Sequence, residues 1–566
     1  MKKTAIPVIF TIVLIILLGT AVIGKKMYSR YSYSKEHADL NSYFGVKDES
    51  DVPVILQNDP INQHAKLIDG DYYMDIDSVH TYLNNRFYEG KEDGTFIYTT
   101  PTAIITAKIG TGDWTSTDGS SQTEKYQIAR YEGDTLYVAL DYVKKYTNFE
   151  YKTYTNPNHM QIYTKWDIRK TATISKNTEL REKGGVKSDI LEDLKKGDKV
   201  IILDEMNDWS KVKTADAFIG YVEKKRLMNR TDETPIGVSD YKTPEYTNIT
   251  KPYKINMAWH VVAGKAGNDT LSSFMNNTKS VNTVSPTWFY INDNSGDITS
   301  YATSDYVAKA HDMGLEVWAL VDNFSSKDID SYQILSHAKS RANLISQLME
   351  QASACGIDGI NVDFENISQD CGESFIEFIR ELSIACRTKQ IVLSVDNYVP
   401  LSINDHYDRA EQGRVADYVV IMGYDEHYSG DKEAGSVASI DYVKNGIEST
   451  VKEVPSEKVI NGIPFYSRIW TTSGGKVTSE AVGMAQAQEY ISTHGIDMKW
   501  DDQTCQNYGE YTDKNGALMQ IWLEDADSIE AKLGIMASNN LAGVAEWRLG
   551  FETADVWDKI AAYVGK

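Results

Sequence analysis

Along the C-terminal half of the chain, short apolar runs alternate with stretches of helical periodicity. The runs are KINMAWHVV, TVSPTWFYI, LEVWALVDNF, GIDGINVDFEN, QIVLSVDNYV, ADYVVIMGYDEHY, KVINGIPFYSRIW and LAGVAEWRLGFE. Between them lie SDYVAKAHDMG, RANLISQLMEQASACG, CGESFIEFIRELSIACRT and SIDYVKNGIESTVKEV, each with an apolar stripe. Eight strands separated mostly by helices predict a (β/α)8 TIM barrel over residues 252–566. The stretch 471–540 is too long for a simple crossover. It holds strand-like MKWDDQTCQNYGEYT and ALMQIWLED, so a small α+β insertion is expected, with a helix from Asp525 to Ala537 leading into the last strand.

The N-terminal half reads differently. An uncharged, mostly apolar run from Ala5 to Gly24 lies between Lys2, Lys3 and Lys25, Lys26. About 20 such residues cross a hydrocarbon core as a helix, so residues 1–26 are expected to be an uncleaved transmembrane anchor. A cleaved signal peptide, with Gly19-Thr20-Ala21 as its site, is the alternative. Residues 27–50 are polar and tyrosine-rich, as in a stalk. Short alternating segments and two helical patches over 51–166 predict a small α+β domain, which loosely resembles the N-terminal-type domain of copper amine oxidases; no chemistry is assigned to it. Over 167–229, short strands and turn signals such as Lys196-Gly197-Asp198 predict a small all-β barrel. The run GDKVIILDEMNDWSKVKTADAFIGYV resembles a bacterial Src-homology-3-type domain, with Trp209, Tyr221 and Val222 in its core pattern. Residues 230–251 read as a linker. The fold class is therefore multidomain, with the barrel last.

Composition narrows the partners. The formal net charge of -23 at pH 7 argues against nucleic acid, whose binding needs clustered Lys and Arg. The four cysteines, Cys355, Cys371, Cys386 and Cys505, include no C-x-x-C pair, so zinc and thioredoxin chemistry have no support; buried thiols and disulfides both remain open. No metal or other cofactor is expected, and the protein is expected to be monomeric.

The chemistry concentrates in GIDGINVDFEN. Strand side chains alternate faces, so Asn361, Asp363 and Glu365 point one way while Ile360, Val362 and Phe364 point the other. In a barrel the apolar set meets the helices and the polar set faces the axis, near the strand ends where such folds work. Two close carboxyls resist joint ionisation, which keeps one protonated near neutral pH. A protonated carboxyl beside an ionised one is the equipment of glycoside hydrolysis.

DGINVDFE resembles the D-G-x-D-x-D-x-E signature of glycoside hydrolase family 18, the chitinase-like family. IMGYDEH resembles the family's Met-x-Tyr-Asp, GIPFYSRIW its Gly-x-Pro-x-Tyr-x-Arg, and Trp547 its tryptophan ending the eighth strand. The order of the motifs is similar, and SPTWFYI, VWALVDNF and GYDEHYSGD resemble the spore-germination and cortex-lytic branch of cell-wall hydrolases. The resemblance implies Glu365 as general acid/base, Asp363 as the residue that orients the substrate acetamido group, and Tyr424 as its hydrogen-bonding partner. It implies Trp547 as the floor of a sugar subsite, with Asn361, Met422, Asp425, Tyr466 and Arg468 as substrate-binding residues. The implied mechanism is retaining and substrate-assisted, so a 2-acetamido sugar is required. Two departures stand out: the family's middle Asp is Asn361, and its third-strand Ser-x-Gly-Gly is replaced by Leu320-Val321-Asp322-Asn323.

These readings together lead to a single-pass membrane protein whose body lies outside the cell and cleaves β-linked N-acetylglucosamine bonds of peptidoglycan. A barrel that binds glycan without cleaving it, and a chitinase or endo-N-acetylglucosaminidase, are the alternatives.

Overall fold

The computed structural model describes residues 5–237 and 241–565. Lys2 and Lys3, and residues 238–240 of the expected linker, lie outside the described residues. The chain forms two compact units. One holds the residues up to Arg86, Lys108–Asp113 and Gln122–Thr243; the other holds Phe87–Ala107, Trp114–Ser121 and everything from Pro244. The stretch 51–166 thus contributes to both.

In the first unit, an apolar helix runs from Ala5 to Tyr31. It is long and apolar enough to cross a membrane, and none of its apolar window is buried by protein. Residues 169–233 form a seven-stranded antiparallel sheet around Ile174, Leu180, Val200, Val212 and Val222. The segment expected as a stalk does not stand free of this small barrel. Its His37 forms a β-bridge with Ile190, the Arg181 guanidinium donates to Ser34 O at 3.0 Å, and Tyr43 and Phe44 pack on Phe218. Tyrosines that give no periodicity in sequence are here a strap of aromatic contacts.

The second unit contains a closed barrel of eight parallel strands: β1 (Ile255–His260), β2 (Thr283–Ile291), β3 (Glu316–Asp322), β4 (Gly359–Asp363), β5 (Val392–Tyr398), β6 (Tyr418–Met422), β7 (Val459–Pro464) and β8 (Gly543–Trp547). Each pairs with its sequence neighbours, and β8 pairs with β1 to close the ring. Both faces of such strands are covered, which is why they read as nearly continuous apolar runs. On β4, Ile360 and Val362 are wholly buried. Phe364, just past it, stacks on Phe378 at 5.4 Å, on the helix Gly372–Lys389 that follows the strand. Gly359 is required by its surroundings: a Cβ there would lie 2.7 Å from the ring of Trp318. Asp358, which opens the motif, fastens the base of the barrel, accepting from Val317 N and His311 Nε2, both at 2.8 Å.

Between β7 and β8 the chain builds the expected α+β insertion, a five-stranded antiparallel sheet with the helix Met484–His494. Its first strand already begins at Tyr466, before the expected start. The helix Ala526–Ser538 then returns to β8. The four cysteines are free thiols, with Cys371 and Cys386 buried.

Candidate active site

At the C-terminal ends of the barrel strands lies a cavity of about 180 Å³ lined by Phe324, Asp363, Glu365, Tyr398, Met422, Tyr424, Asp425 and Trp547. That is the space of about six liquid waters, or of one sugar ring. Six of the nine residues expected at the site line it.

Glu365 follows the end of β4 and is held by its backbone. Its N–H donates to Asn323 Oδ1 and its carbonyl accepts from Asn323 Nδ2, both at 2.8 Å. The amide of Asn323 therefore stands in for a strand partner where β4 has ended. Asp322 accepts from Phe324 N at 3.1 Å and Ser325 N at 2.9 Å, bracing the loop that carries Phe324 to the rim. The departure from the family's third-strand pattern is thus a clamp on the backbone of Glu365. One Glu365 oxygen accepts from Tyr398 Oη at 2.7 Å. Burial holds the Glu365 carboxyl above its usual range, opposed by the Tyr398 hydrogen bond and reinforced by Asp425 and Asp322.

Asp363 is 6 % exposed, and its Oδ1 is buried with no hydrogen-bond partner among the described residues. Burial, then the charges of Asp396, Glu365 and Asp322, push its carboxyl well above the usual range. Tyr424 and Met422 continue the wall from the end of β6. Trp547 closes β8, edge-on to Trp259 at 5.8 Å, and lines the cavity. The Trp547–Arg548 peptide is cis. Among the described residues the lining contains no Lys or Arg, so the cavity suits a neutral guest and repels an anionic one.

Three expected residues lie elsewhere. Asn361 is wholly buried beneath Asp363. Its Oδ1 accepts from Trp259 Nε1 and Ser285 Oγ, each at 3.0 Å. Its Nδ2 donates to Ser394 Oγ at 3.0 Å and Asp396 Oδ1 at 2.7 Å. Every hydrogen-bonding position of the amide is taken by protein, so Asn361 has nothing to offer a substrate. Tyr466 stands behind the lining and donates to Asp425. Arg468 sits on the insertion, donating to Ser479 Oγ at 3.1 Å, because it follows Tyr466 into the first strand of that sheet.

Residues passed over in the sequence complete the site: Tyr398, Asp396 and Asn323. The signal for two of them was available. In Ser394-Val-Asp396-Asn-Tyr398 the polar residues alternate as they do in Asn361-Val-Asp363-Phe-Glu365, which places both sets on the inner face of neighbouring strands.

Comparison with known proteins agrees with this architecture. The family model described as glycosyl hydrolases family 18 matches residues 257–552, and that described as a bacterial SH3 domain matches residues 176–228. A Bacillus subtilis (strain 168) protein named uncharacterized glycosylase YvbX is 26 % identical over 318 residues, covering 52 % of this chain and 91 % of the relative. The cortical fragment-lytic enzyme of the same organism is 27 % identical over 233 residues, covering 40 % of this chain and 54 % of its own. The chain spans about half the length of several of the curated relatives it matches. Among solved structures, the Bacillus cereus spore cortex-lytic enzyme SleL superposes with a TM-score of 0.50 at 20 % identity, over 56 % of this chain and 76 % of that one. A chitinase from Chromobacterium violaceum ATCC 12472 gives 0.50 at 22 % identity, over 55 % and 99 %. At these identities the likeness concerns the fold.

Proposed function

From the premise that this chain belongs to the glycosyl hydrolases of family 18, we propose that it is a membrane-anchored enzyme cleaving β-linked N-acetylglucosamine bonds of peptidoglycan, with retention, by substrate-assisted catalysis. The observation that carries this reading is that Glu365, Asp363, Tyr424 and Trp547 line one cavity, with no Lys or Arg in its wall among the described residues.

The chemistry follows from the side chains. Glu365, whose hold on a proton burial strengthens, gives its proton to the glycosidic oxygen as the bond to the anomeric carbon breaks. The acetamido carbonyl oxygen of the same sugar attacks that carbon from the opposite face, a known exception to the two-carboxylate scheme. Asp363 accepts a hydrogen bond from the acetamido N–H and stabilises the positive charge that develops there, while Tyr424 donates to the acetamido group and holds it in line. Water then enters, gives a proton to the Glu365 carboxylate and opens the intermediate, restoring the original configuration. Two inversions give net retention. Trp547 presents an apolar face to the sugar ring.

The carboxyl-rich lining favours N-acetylglucosamine over N-acetylmuramic acid in this subsite, because the lactyl carboxylate of the latter would find no counter-charge among the lining residues. The apolar helix Ala5–Tyr31 and the bacterial SH3 match support a body tethered at the outer face of the membrane, next to the wall.

The test is to incubate the soluble body, and its Glu365→Gln variant, with purified peptidoglycan, spore cortex and chitin, and to identify the new reducing ends. Wild type is expected to release N-acetylglucosamine reducing ends and the variant to release none. Equal activity in both would refute the assignment of Glu365. Inertness of both on every polymer would leave a glycan-binding barrel as the reading. Release from chitin alone would make the protein a chitinase.

A further inference from the structure

Asp363 lacks the acid that the family motif places two residues before it. Asn361 cannot hold a proton for it, and its amide hydrogens are spent on Ser394 and Asp396. The orientation of that amide is fixed, since Trp259 Nε1 is donor-only and points at Asn361 Oδ1. Asp363 Oδ1 is therefore left buried without a donor.

A second carboxyl has the matching deficit. Asp396 on β5 is 1 % exposed. Its Oδ1 accepts from Asn361, and its Oδ2 is buried with no partner among the described residues. Strands β4 and β5 pair in parallel, with Asn361 opposite Ser394 and Val362 opposite Val395. Continued one step past the last of these pairs, the same register brings Asp363 beside Asp396, and the charge of Asp396 is felt at Asp363. Two neighbouring carboxyls thus each carry one buried oxygen with no donor. Leaving either unsatisfied in the ionised state is costly. One proton between them satisfies both and halves the buried charge.

Resting on the family 18 reading above, we propose that Asp396 is the positioning residue that holds a proton for Asp363, in place of the acid missing at position 361. In the resting site one proton is shared between Asp363 Oδ1 and Asp396 Oδ2. When the acetamido group enters, Asp363 turns a carboxylate to its N–H, and the proton stays on Asp396 as a neutral carboxyl. After hydrolysis Asp363 turns back and the shared hydrogen bond re-forms. No proton is gained or lost from the pair in the cycle.

The surroundings fit. The groups near the pair include Asn361 and Ser394 beneath, Glu365 and Tyr398 toward the strand ends, Asp322 from β3, Tyr424 from β6 and Tyr407; none of these is a cation. Burial and these like charges raise the affinity of both carboxyls for a proton. The acid role has moved sideways, from one strand to its neighbour, and Asn361 is the spacer that sets Asp396 in place.

The test uses Asp396→Asn and the exchange that combines Asn361→Asp with Asp396→Asn. In the single variant an amide at 396 can still accept from Asn361 and can donate to Asp363, so the hydrogen-bonded framework survives while the proton store is gone. The expected result is a fall in kcat of at least about 10-fold, one pKa unit's worth, with KM little changed. The exchange returns a carboxyl beneath Asp363 and is expected to recover most of the loss. Infrared difference spectra at neutral pH are expected to show a protonated-carboxyl band in wild type that Asp396→Asn lacks. Wild-type kcat in the single variant, an exchange no better than the single variant, or an unchanged infrared band would each overturn the proposal. If the variants fail to fold, the aspartate side-chain carbon spectrum of 13C-labelled wild type decides alone: absence of a protonated Asp at neutral pH refutes it. The spectroscopic arms read the proton whether or not a glycan is cleaved, so an inert wild type would sink the enzymatic reading and leave this one to be judged on the spectra.

Discussion

Replacing Tyr398 by Phe should move the alkaline limb of the pH–rate profile upward. The phenol donates to one Glu365 oxygen at 2.7 Å. A hydrogen bond to a charged acceptor is worth about 1.5–3 kcal/mol, against about 0.5–1.5 kcal/mol for a neutral one. The bond therefore favours ionised over protonated Glu365 by roughly 1–1.5 kcal/mol, close to one pKa unit. Removing it leaves burial and the charges of Asp425 and Asp322 unopposed, and all three raise the Glu365 pKa. A general acid must be protonated in the free enzyme, so kcat/KM falls as pH rises through that pKa. The variant should hold its activity to a pH about one unit higher than wild type, even if its maximum is lower. The assay is kcat/KM against pH, from reducing ends released from peptidoglycan fragments. A limb that stays in place, or moves down, would refute the claim that Glu365 is the acid and that Tyr398 tunes it.

Other perturbations test the supports of the site. Asn323→Ala removes both hydrogen bonds to the Glu365 backbone; about 1–3 kcal/mol of stability should be lost by chemical denaturation, and kcat should fall on the order of 100-fold if the carboxyl shifts by about 1 Å. Trp547→Ala strips the apolar floor, with a loss of about 1.5–3 kcal/mol of buried surface, read as a roughly 10- to 100-fold fall in kcat/KM with the Glu365 limb unmoved. On the helix that leads from the insertion back to β8, Lys532 donates to both oxygens of buried Glu524 at 3.0 Å. Lys532→Met should destabilise by about 3–5 kcal/mol through the uncompensated carboxylate, and a second change, Glu524→Gln, should recover much of that in urea titrations.

The barrel was written in the order of apolar runs and amphipathic stretches, because parallel strands buried on both faces and helices buried on one leave different periods in sequence. The alternation in DGINVDFE determined which side chains of β4 face the axis, and the family motifs picked out six of the eight residues that ring the cavity. An apolar stretch near residue 5 determined a helix that can cross a membrane. Tertiary structure alone decided the rest. Asn361 shares its face with Asp363 and Glu365, yet one layer of depth separates residues that line the cavity from one sealed by Trp259, Ser285, Ser394 and Asp396. Arg468 is two residues from Tyr466, yet the start of a new sheet carries it to Ser479. The strap of Ser34, His37, Tyr43 and Phe44 on the small barrel and the grip of Asn323 on Glu365 join residues far apart in the chain. Period and motif report what a segment does with its own faces. They do not report the neighbour that fills a hydrogen bond, because that partner is chosen by strand register and loop closure in three dimensions.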